Sequence, residues 1–226
     1  MLPKRLPEEE TGLRLSHTRN EEIANSVSHG LGTALSVVGL ILMILRTLPL
    51  QDNLRITSVI IFGFTLILAH LSSTLYHSFS DKRIKRILQF VDHGSIYLLV
   101  AGTFTPLLLI TLRTVTGWVM FSLVWSFAFG GIVFKSFYIN RYPKFEASTY
   151  VIMGSLSMFI MNQLYVGLPL MGFIWVLLGS AIYLLGLIFL GWHKLPYNHM
   201  IWHLFVMGGS VSHFYAIYFY VLPGGN

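Results

Sequence analysis

Stretches of about twenty apolar residues recur along almost the whole chain, and each is long enough to cross the hydrocarbon core of a bilayer as an α-helix. Seven such windows are predicted, near 25–46, 54–77, 88–112, 117–137, 148–166, 173–191 and 199–221. The composition agrees, because 54% of the 226 residues are hydrophobic and only 11% are charged, which lies outside the usual soluble range. We therefore predict an all-α integral membrane protein, a bundle of seven transmembrane helices.

The N-terminal part of the chain differs from the rest, because residues 1–24 are polar and of mixed charge. We predict a cytoplasmic tail over 1–24 and a single transmembrane domain over 25–226. No cleavable signal peptide is expected, since glutamates occupy positions 8–10, where such a peptide has a short apolar segment after its basic residues. The first transmembrane window is expected to start membrane insertion itself.

The lysines and arginines predict the orientation, because basic residues concentrate in short loops on the cytoplasmic side of a membrane. Twelve of the fifteen fall on one side of the predicted bundle. They are Lys4, Arg5, Arg14, Arg19, Lys82, Arg83, Lys85, Arg86, Lys135, Arg141, Lys144 and Lys194. The N-terminus is therefore predicted to be cytoplasmic and the C-terminus outside, in a multi-pass membrane protein. The formal charge of +6 then faces anionic headgroups, so we expect membrane lipids and not nucleic acid as partners.

Polar and ionisable side chains interrupt four of the apolar windows. An ionisable group costs about 2.5–3.5 kcal/mol at the bilayer centre on insertion scales, so each one needs a partner or a function. The interrupting residues are Glu22, Asn25, His29, His70, Ser73, His77, Asp92, His93, His199, His203 and His213. With the predicted topology the four clusters all fall in the cytoplasmic half of the membrane. This agreement in depth indicates one shared site.

The spacing of the histidines predicts a metal site. His199 and His203 lie four residues apart, so on a helix they point the same way and can chelate one ion, with His77 as the third nitrogen ligand. Because the chain has no cysteine, thiolate and disulfide chemistry are excluded, and three imidazoles with an open water position favour catalytic Zn²⁺. Asp92 would orient or deprotonate the water, and Ser73 would bind the same water or a substrate carbonyl.

Each of these residues also has a simpler interpretation. The three histidines could form separate interhelical hydrogen bonds. Asp92 could be a helix N-cap, and Ser73 could hydrogen-bond its own backbone. Glu22, Asn25 and His29 could cap and anchor the first helix. Alternatively, they could hydrogen-bond to the metal ligands and orient them, as ligating groups usually require.

The other histidines are expected to lie outside the metal site. His70 is two helical turns from His77 and about 10 Å deeper, so we expect it to pack in the bundle interior. His213 lies about 15 Å from His203 along the helix axis and is expected to serve another purpose. His93 is expected to touch lipid headgroups.

Two features predict how the helices pack. Pro106 is expected to kink the third window, because proline lacks a backbone N–H. Gly172, Gly179 and Gly186 recur every seven residues, which indicates a close contact between two helices.

Four stretches of the sequence resemble a known family: "EEIANSVSHG", "STLYH", "VDHGSIYLLVAGTFTP" and "PYNHMIWHLFVMGGSVSHF". They contain the motifs E-x-x-N-x-x-x-H, S-x-x-x-H, an aspartate opening the third window, and H-x-x-x-H. In this combination and order the chain resembles the bacterial hemolysin III proteins, within the progestin and adipoQ receptor superfamily, which is similar to the alkaline ceramidases. The resemblance implies a seven-helix bundle with a cytoplasmic N-terminus and a zinc ion held by the three histidines, with the aspartate acting through water. It also implies hydrolysis of an amide bond in a lipid.

Three functions remain open from the sequence. The first is a zinc-dependent hydrolase whose amphiphilic lipid substrate reaches the site laterally from the membrane. The second is a non-catalytic membrane-homeostasis or sensor protein in which structural zinc links three helices. An open water position favours the first, and a closed four-ligand site favours the second. The third is a cytolysin, as the family name implies, although a chain with seven built-in spans is poorly suited to secretion and attack on foreign membranes.

Overall fold

The fold is a bundle of α-helices, seen in a computed structural model that describes residues 18–138 and 143–223. Most of the predicted tail over 1–24 therefore lies outside the described residues. Within them the chain forms no strand. The helices are α1 Arg19–Thr47, α2 Asn53–Ser78, α3 Lys82–Pro106, α4 Val115–Tyr138, α5 Pro143–Ser155, α6 Met161–Gly167, α7 Leu170–Gly191 and α8 Asn198–Ala216.

Among the described residues, six helical segments are long and apolar enough to cross a membrane. They are Arg19–Leu50, Asn53–Ser78, Lys82–Leu112, Val115–Phe137, Leu170–Gly191 and Asn198–Val221. These segments confirm an all-α integral membrane bundle, and they coincide with six of the seven predicted windows. The segment containing α3 lies at the centre, because 72% of its most apolar stretch is buried, against 17% for the segment of α7.

The predicted fifth window, 148–166, is not one continuous α-helix. It is occupied in succession by the end of α5, a 3₁₀ segment Leu156–Ile160 and α6. At the junction Ser155 donates a hydrogen bond to the carbonyl oxygen of Ile152, and Ser157 donates one to that of Gly154. Ser72 makes the same kind of bond to the carbonyl oxygen of Ala69 within the unbroken α2, so these bonds accompany the change to 3₁₀ geometry and do not by themselves explain it.

Two helices begin earlier than the apolar windows predict, because side-chain caps define their first turns. Thr18 and Glu21 form a capping box, so α1 begins at Arg19 and not near residue 25. Asp81 accepts hydrogen bonds from the backbone N–H groups of Arg83 and Ile84, so α3 begins at Lys82 and not near residue 88. The basic run at 82–86, predicted as a loop, is therefore helical.

The close contact expected from the repeated glycines is present, and the helical form changes after Pro106. There the chain continues as a π-helical segment, Leu107–Leu112, while the kink at Pro106 stays a prediction. Gly179 lies against the ring of His213, and a Cβ atom there would come within 2.8 Å of that ring. The missing side chain thus lets α7 approach α8 closely, as the spacing predicts.

The end of the bundle opposite the histidines is held by a cluster of charges. Asp52 caps α2 and pairs with Arg55 at 3.2 Å and with Arg113 at 2.6 Å. The buried Arg55 also donates a hydrogen bond of 2.7 Å to the carbonyl oxygen of Leu222. Partial burial acts to raise the pKa of Asp52, but the hydrogen bonds from Arg113 and from backbone N–H groups outweigh it, and the pKa lies below its ordinary value.

We expect Asp52→Asn to lower the free energy of unfolding by about 1 kcal/mol, because asparagine can still cap α2 but no longer pairs with two arginines. The measurement is thermal unfolding of purified protein in detergent. The lowered pKa means that this contribution is complete above about pH 5 and is lost as the pH falls through the pKa of the folded state. Asp81→Asn is the control, at an exposed cap, and should change stability by less than about 0.5 kcal/mol. Equal stability of both variants at pH 7 would contradict the role of Asp52.

Candidate metal centre

Three histidines from two helices come together at one end of the bundle. His77 lies in the last turn of α2, and His199 and His203 lie in the first two turns of α8. Their ring centroids are 5.1 Å apart for His77 and His199, 5.2 Å for His77 and His203, and 4.4 Å for His199 and His203. Each offers one nitrogen, and these three atoms lie within 4.8 Å of one another. This cluster could therefore hold a metal ion.

The start of α8 is fixed to the start of α1. Tyr197, the residue before α8, has a left-handed backbone with φ of 56°. Its N–H donates a hydrogen bond of 3.2 Å to Oε1 of Glu21. Glu21 also forms the capping box of α1, so one side chain links the beginnings of the two helices. This link sets the position of His199, which follows two residues after Tyr197.

Glu22 fixes the orientation of the His77 ring. Oε2 of Glu22 lies 2.5 Å from Nδ1 of His77, and Oε1 accepts a hydrogen bond of 2.6 Å from Nζ of Lys85. A carboxylate that accepts from a lysine cannot donate, so Nδ1 of His77 carries a proton, and in the neutral ring Nε2 then carries the lone pair. The amide nitrogen of Asn25, 3.5 Å from the same Nδ1, is therefore only in contact with it.

Ser28 fixes the His203 ring in the same way. The hydroxyl of Ser28 donates its one proton to the carbonyl oxygen of Asn25 at 2.8 Å. Its oxygen lies 3.3 Å from Nδ1 of His203, so it accepts from an Nδ1–H group there. The His203 ring is also hydrogen-bonded to the backbone of Asn25. With Nδ1 engaged from α1, Nε2 is the nitrogen left to face a metal. Helix α1 thus orients one candidate ligand from α2 and one from α8.

His29 and His70 extend the cluster toward the middle of the bundle. Both are buried, and their Nδ1 atoms are 2.9 Å apart. The ring of His29 also packs edge-on against His203, with centroids 3.9 Å apart. Nε2 of His29 is buried and makes no hydrogen bond to any described residue. His29 therefore contacts a candidate ligand, whereas His70 is one step further away and packs in the interior, as the sequence indicates.

Asp92 and Ser73 form a buried pair beside His77. The hydroxyl of Ser73 donates a hydrogen bond to the carboxyl group of Asp92, and Asp92 lies within electrostatic range of His77. The N-cap interpretation of Asp92 is wrong, because the N-cap of α3 is Asp81 and Asp92 lies well inside the helix. Both side chains face the bundle interior, with 9% and 2% of their surface exposed for Asp92 and Ser73 respectively.

Two other histidines have partners of their own. Nδ1 of His93 lies 2.9 Å from Nζ of Lys135, a buried residue in the last turn of α4, so the expected contact with headgroups is replaced by a contact between helices. His213 is buried and stacks on the ring of Tyr183, with centroids 5.5 Å apart. Neither belongs to the group of three nitrogens.

Two residues that contact this site are absent from the sequence prediction. Ser28 adjoins the predicted motif residues, and Lys85 belongs to a basic run that is typical of a loop. A signal for Lys85 does exist, because Lys85, Gln89 and Asp92 are spaced as i, i+4 and i+7 on one helix face, and all three are buried. Polar residues at helical spacing next to an apolar window can thus indicate an inward-facing stripe.

The chemistry of the donor set suits a divalent transition metal. Three imidazoles converge, His77 and His203 are buried, and their Nδ1 atoms are engaged by Glu22 and Ser28. Imidazole is a common ligand of zinc and of other late first-row metals, and its second nitrogen usually makes a hydrogen bond of this kind. The site fits a metal in both its ligands and their supports.

Comparison with known proteins gives consistent relationships. The sequence model described as Haemolysin-III related matches residues 17–214. The chain is 42% identical over 210 residues to Hemolysin-3 of Bacillus cereus, covering 93% of this chain and 96% of that protein. It is also 42% identical over 203 residues to the Hemolysin-3 homolog of Bacillus subtilis (strain 168), covering 90% of this chain and 95% of that protein.

A more distant relative is the human monocyte to macrophage differentiation factor, 27% identical over 216 residues, with coverage of 92% of this chain and 87% of that protein. The match of the family model spans every residue of the candidate metal centre, from Glu22 to His203. Together with six membrane-spanning helical segments, these relationships confirm the resemblance seen in the sequence motifs. The chain is a multi-pass membrane protein, which in bacteria means the plasma membrane, and it belongs to the Haemolysin-III related family.

Proposed function

We propose that this protein is a zinc-dependent hydrolase that cleaves an amide bond in a membrane lipid. The observation that carries the proposal is the convergence of three histidine nitrogens beside a buried pair of Asp92 and Ser73. Three protein ligands are typical of catalytic zinc, which keeps its remaining position for water or substrate. Structural zinc sites usually have four protein ligands and often include cysteine, which this chain lacks.

The residues around the site have distinct roles in this proposal. His77, His199 and His203 would hold the zinc ion, which supplies a Lewis acid and lowers the pKa of a water molecule toward neutrality. Glu22, Asn25 and His29 would support the ligands from α1. Glu22 does so through its contact with His77, and His29 through its contact with His203.

Asp92 would act as general base, and Ser73 would orient it. Asp92 removes a proton from the attacking water, whose oxygen forms a bond to the amide carbon as the bond from carbon to nitrogen breaks. The proton then passes to the leaving amine, so the products are a fatty acid and an amine. The hydrogen bond from Ser73 holds the carboxyl group of Asp92 in one orientation, and the same hydroxyl could instead bind the substrate carbonyl.

The position of the site favours a lipid substrate. The histidines lie at the end of α2 and the beginning of α8, two helices long and apolar enough to cross a membrane. In this proposal these helix ends lie near the level where the polar headgroup of a lipid meets its acyl chain. An amide near a headgroup could reach this depth by lateral diffusion. The partners proposed for the protein are therefore membrane lipids, with an amphiphilic lipid as substrate.

A second candidate function is a non-catalytic protein in which zinc links helices. The observation that favours it is that the site already joins the ends of α1, α2 and α8 through Glu22, His77, Ser28 and His203. A metal ion there would strengthen the same connection. The two functions predict the same zinc content but different lipid products, so they are separable.

We expect the purified wild-type protein to retain about one zinc ion per chain, and His203→Ala to retain less than a tenth of that amount, because loss of one of three ligands removes most of the affinity. The measurement is metal analysis by mass spectrometry after dialysis against a weak chelator. His193→Ala is the matched control, since His193 is exposed and outside the group of three. Equal zinc content in the wild type and in His203→Ala would contradict the proposed zinc site.

We expect wild-type protein to release fatty acid from vesicles that contain an amide-linked lipid. Asp92→Ala should release it at least about 100-fold more slowly, because a general base contributes about 10²–10⁴-fold to the rate. The measurement is mass spectrometry of the lipids after incubation with zinc-loaded protein. His193→Ala serves again as the control and should match the wild type. If wild type and Asp92→Ala give the same profiles while both bind zinc, the helix-linking function is favoured instead.

We also propose that the N-terminus is cytoplasmic and the C-terminus outside, because twelve of fifteen basic residues fall on the predicted cytoplasmic side. A tag at the C-terminus should be accessible to an impermeant label in intact spheroplasts, whereas a tag at the N-terminus should be labelled only after lysis. Accessibility of both tags from the same side would contradict the topology and the cytoplasmic position of the site.

A further inference from the structure

Lys85 is buried although it lies in a basic run near the beginning of a helix. The neighbouring Lys82, Arg83 and Arg86 are exposed, whereas only 6% of the surface of Lys85 is exposed. A buried lysine is rare unless it is paired, because removing an ammonium group from water costs several kcal/mol. The position of Lys85 thus requires a specific partner inside the bundle.

That partner is a carboxylate which also contacts a candidate metal ligand. Nζ of Lys85 donates a hydrogen bond of 2.6 Å to Oε1 of Glu22, and the other oxygen of Glu22 lies 2.5 Å from Nδ1 of His77. The ammonium group also lies 5.1 Å from the centre of the Tyr76 ring, within the range of a cation–π contact. Lys85, Glu22 and His77 therefore form a continuous chain across α3, α1 and α2.

The two oxygens of Glu22 have different partners in this series of contacts. One oxygen is held by Lys85, so the carboxylate cannot rotate freely, and the second is thereby directed at the imidazole N–H. Charge-assisted hydrogen bonds of this kind are short and orient both partners. Without Lys85 the side chain of Glu22, which is 21% exposed, could turn toward solvent and release the ring of His77.

We propose that Lys85 is a positioning residue of the metal centre, which acts on His77 through Glu22. This inference rests on the proposed zinc site and deepens it, because it assigns a role to a cation that is neither a ligand nor part of the predicted motif. Lys85 keeps His77 in the tautomer that presents Nε2 to the ion. Supporting residues of this kind typically contribute 10–100-fold to metal affinity.

The first test is the zinc affinity of the full-length protein in detergent, measured by competition with a chromophoric chelator. We expect Lys85→Met to weaken zinc binding about tenfold. Lys82→Met is the matched control, because it removes the same charge from an exposed position one turn earlier in α3, and its affinity should equal that of the wild type. Wild-type affinity in Lys85→Met would overturn the inference.

A double-mutant cycle separates positioning from a general loss of structure. Glu22→Gln should also weaken zinc binding, and Lys85→Met should then add less than about a twofold loss in the Glu22→Gln background, because Lys85 acts only through that carboxylate. If the two losses add in full, Lys85 acts by another route and the inference fails. If Lys85→Met does not fold, Lys85→Gln replaces it in the double-mutant cycle, since glutamine also removes the charge and keeps most of the aliphatic stem.

A metal-free measurement keeps this inference distinct from the proposed function. In protein labelled with ¹⁵N-histidine, the signals of His77 are identified by their loss in His77→Ala. They should show a proton on Nδ1 in the wild type and a mixture of tautomers in Lys85→Met. Unchanged signals in Lys85→Met would overturn the inference even if zinc binds. If wild-type protein binds no zinc but the tautomer shifts as expected, the zinc function fails, whereas the effect of Lys85 on the His77 ring through Glu22 is supported.

Discussion

A carboxylate inside a membrane-spanning bundle is stable only when hydrogen-bond donors meet it, and Glu22 meets two, the ammonium group of Lys85 and the imidazole of His77. This interaction joins α1, α2 and α3 at the end where α8 also begins. Ser28 adds the contact to His203 from the same face of α1. The helix that supplies no ligand is thus the one that orients two of the three, and the geometry of the whole site depends on it.

Much of the fold follows from the length of the apolar windows, and part of the site follows from helical spacing. The pair His199 and His203 can be predicted from the sequence because residues i and i+4 share one face of a helix. His77 can be predicted because consecutive windows alternate in direction, which brings the end of the second window to the same side of the membrane as the beginning of the last. Asp92 and Ser73 stand out for the same reason, as polar groups in segments where each needs a partner. Lys85 is harder to predict, since a basic run beside an apolar window is ordinarily a solvated loop, and only its helical spacing with Gln89 and Asp92 indicates an inward-facing position.

The departures from the sequence prediction have local causes. The caps at Thr18 and Asp81 extend α1 and α3 beyond their apolar windows, because capping depends on hydrogen bonds and not on hydropathy. Ser28 is invisible as a site residue because serine is common in helices, and only its geometry shows that its single proton goes to Asn25. The 3₁₀ segment in the fifth window is likewise invisible to hydropathy, which does not distinguish 3₁₀ turns from α-helical ones.

The interrupted fifth window has a consequence for how the protein is made. α5 has 13 residues and α6 has seven, so neither alone reaches the roughly 20 residues that a helix needs to cross a bilayer. Only the joined path over 143–167 reaches that length, because the 3₁₀ segment between the two helices continues the hydrogen-bonded turns. Membrane insertion of this part of the chain should therefore depend on the whole of 143–167, so that shortening either helix would leave it too short to enter lipid.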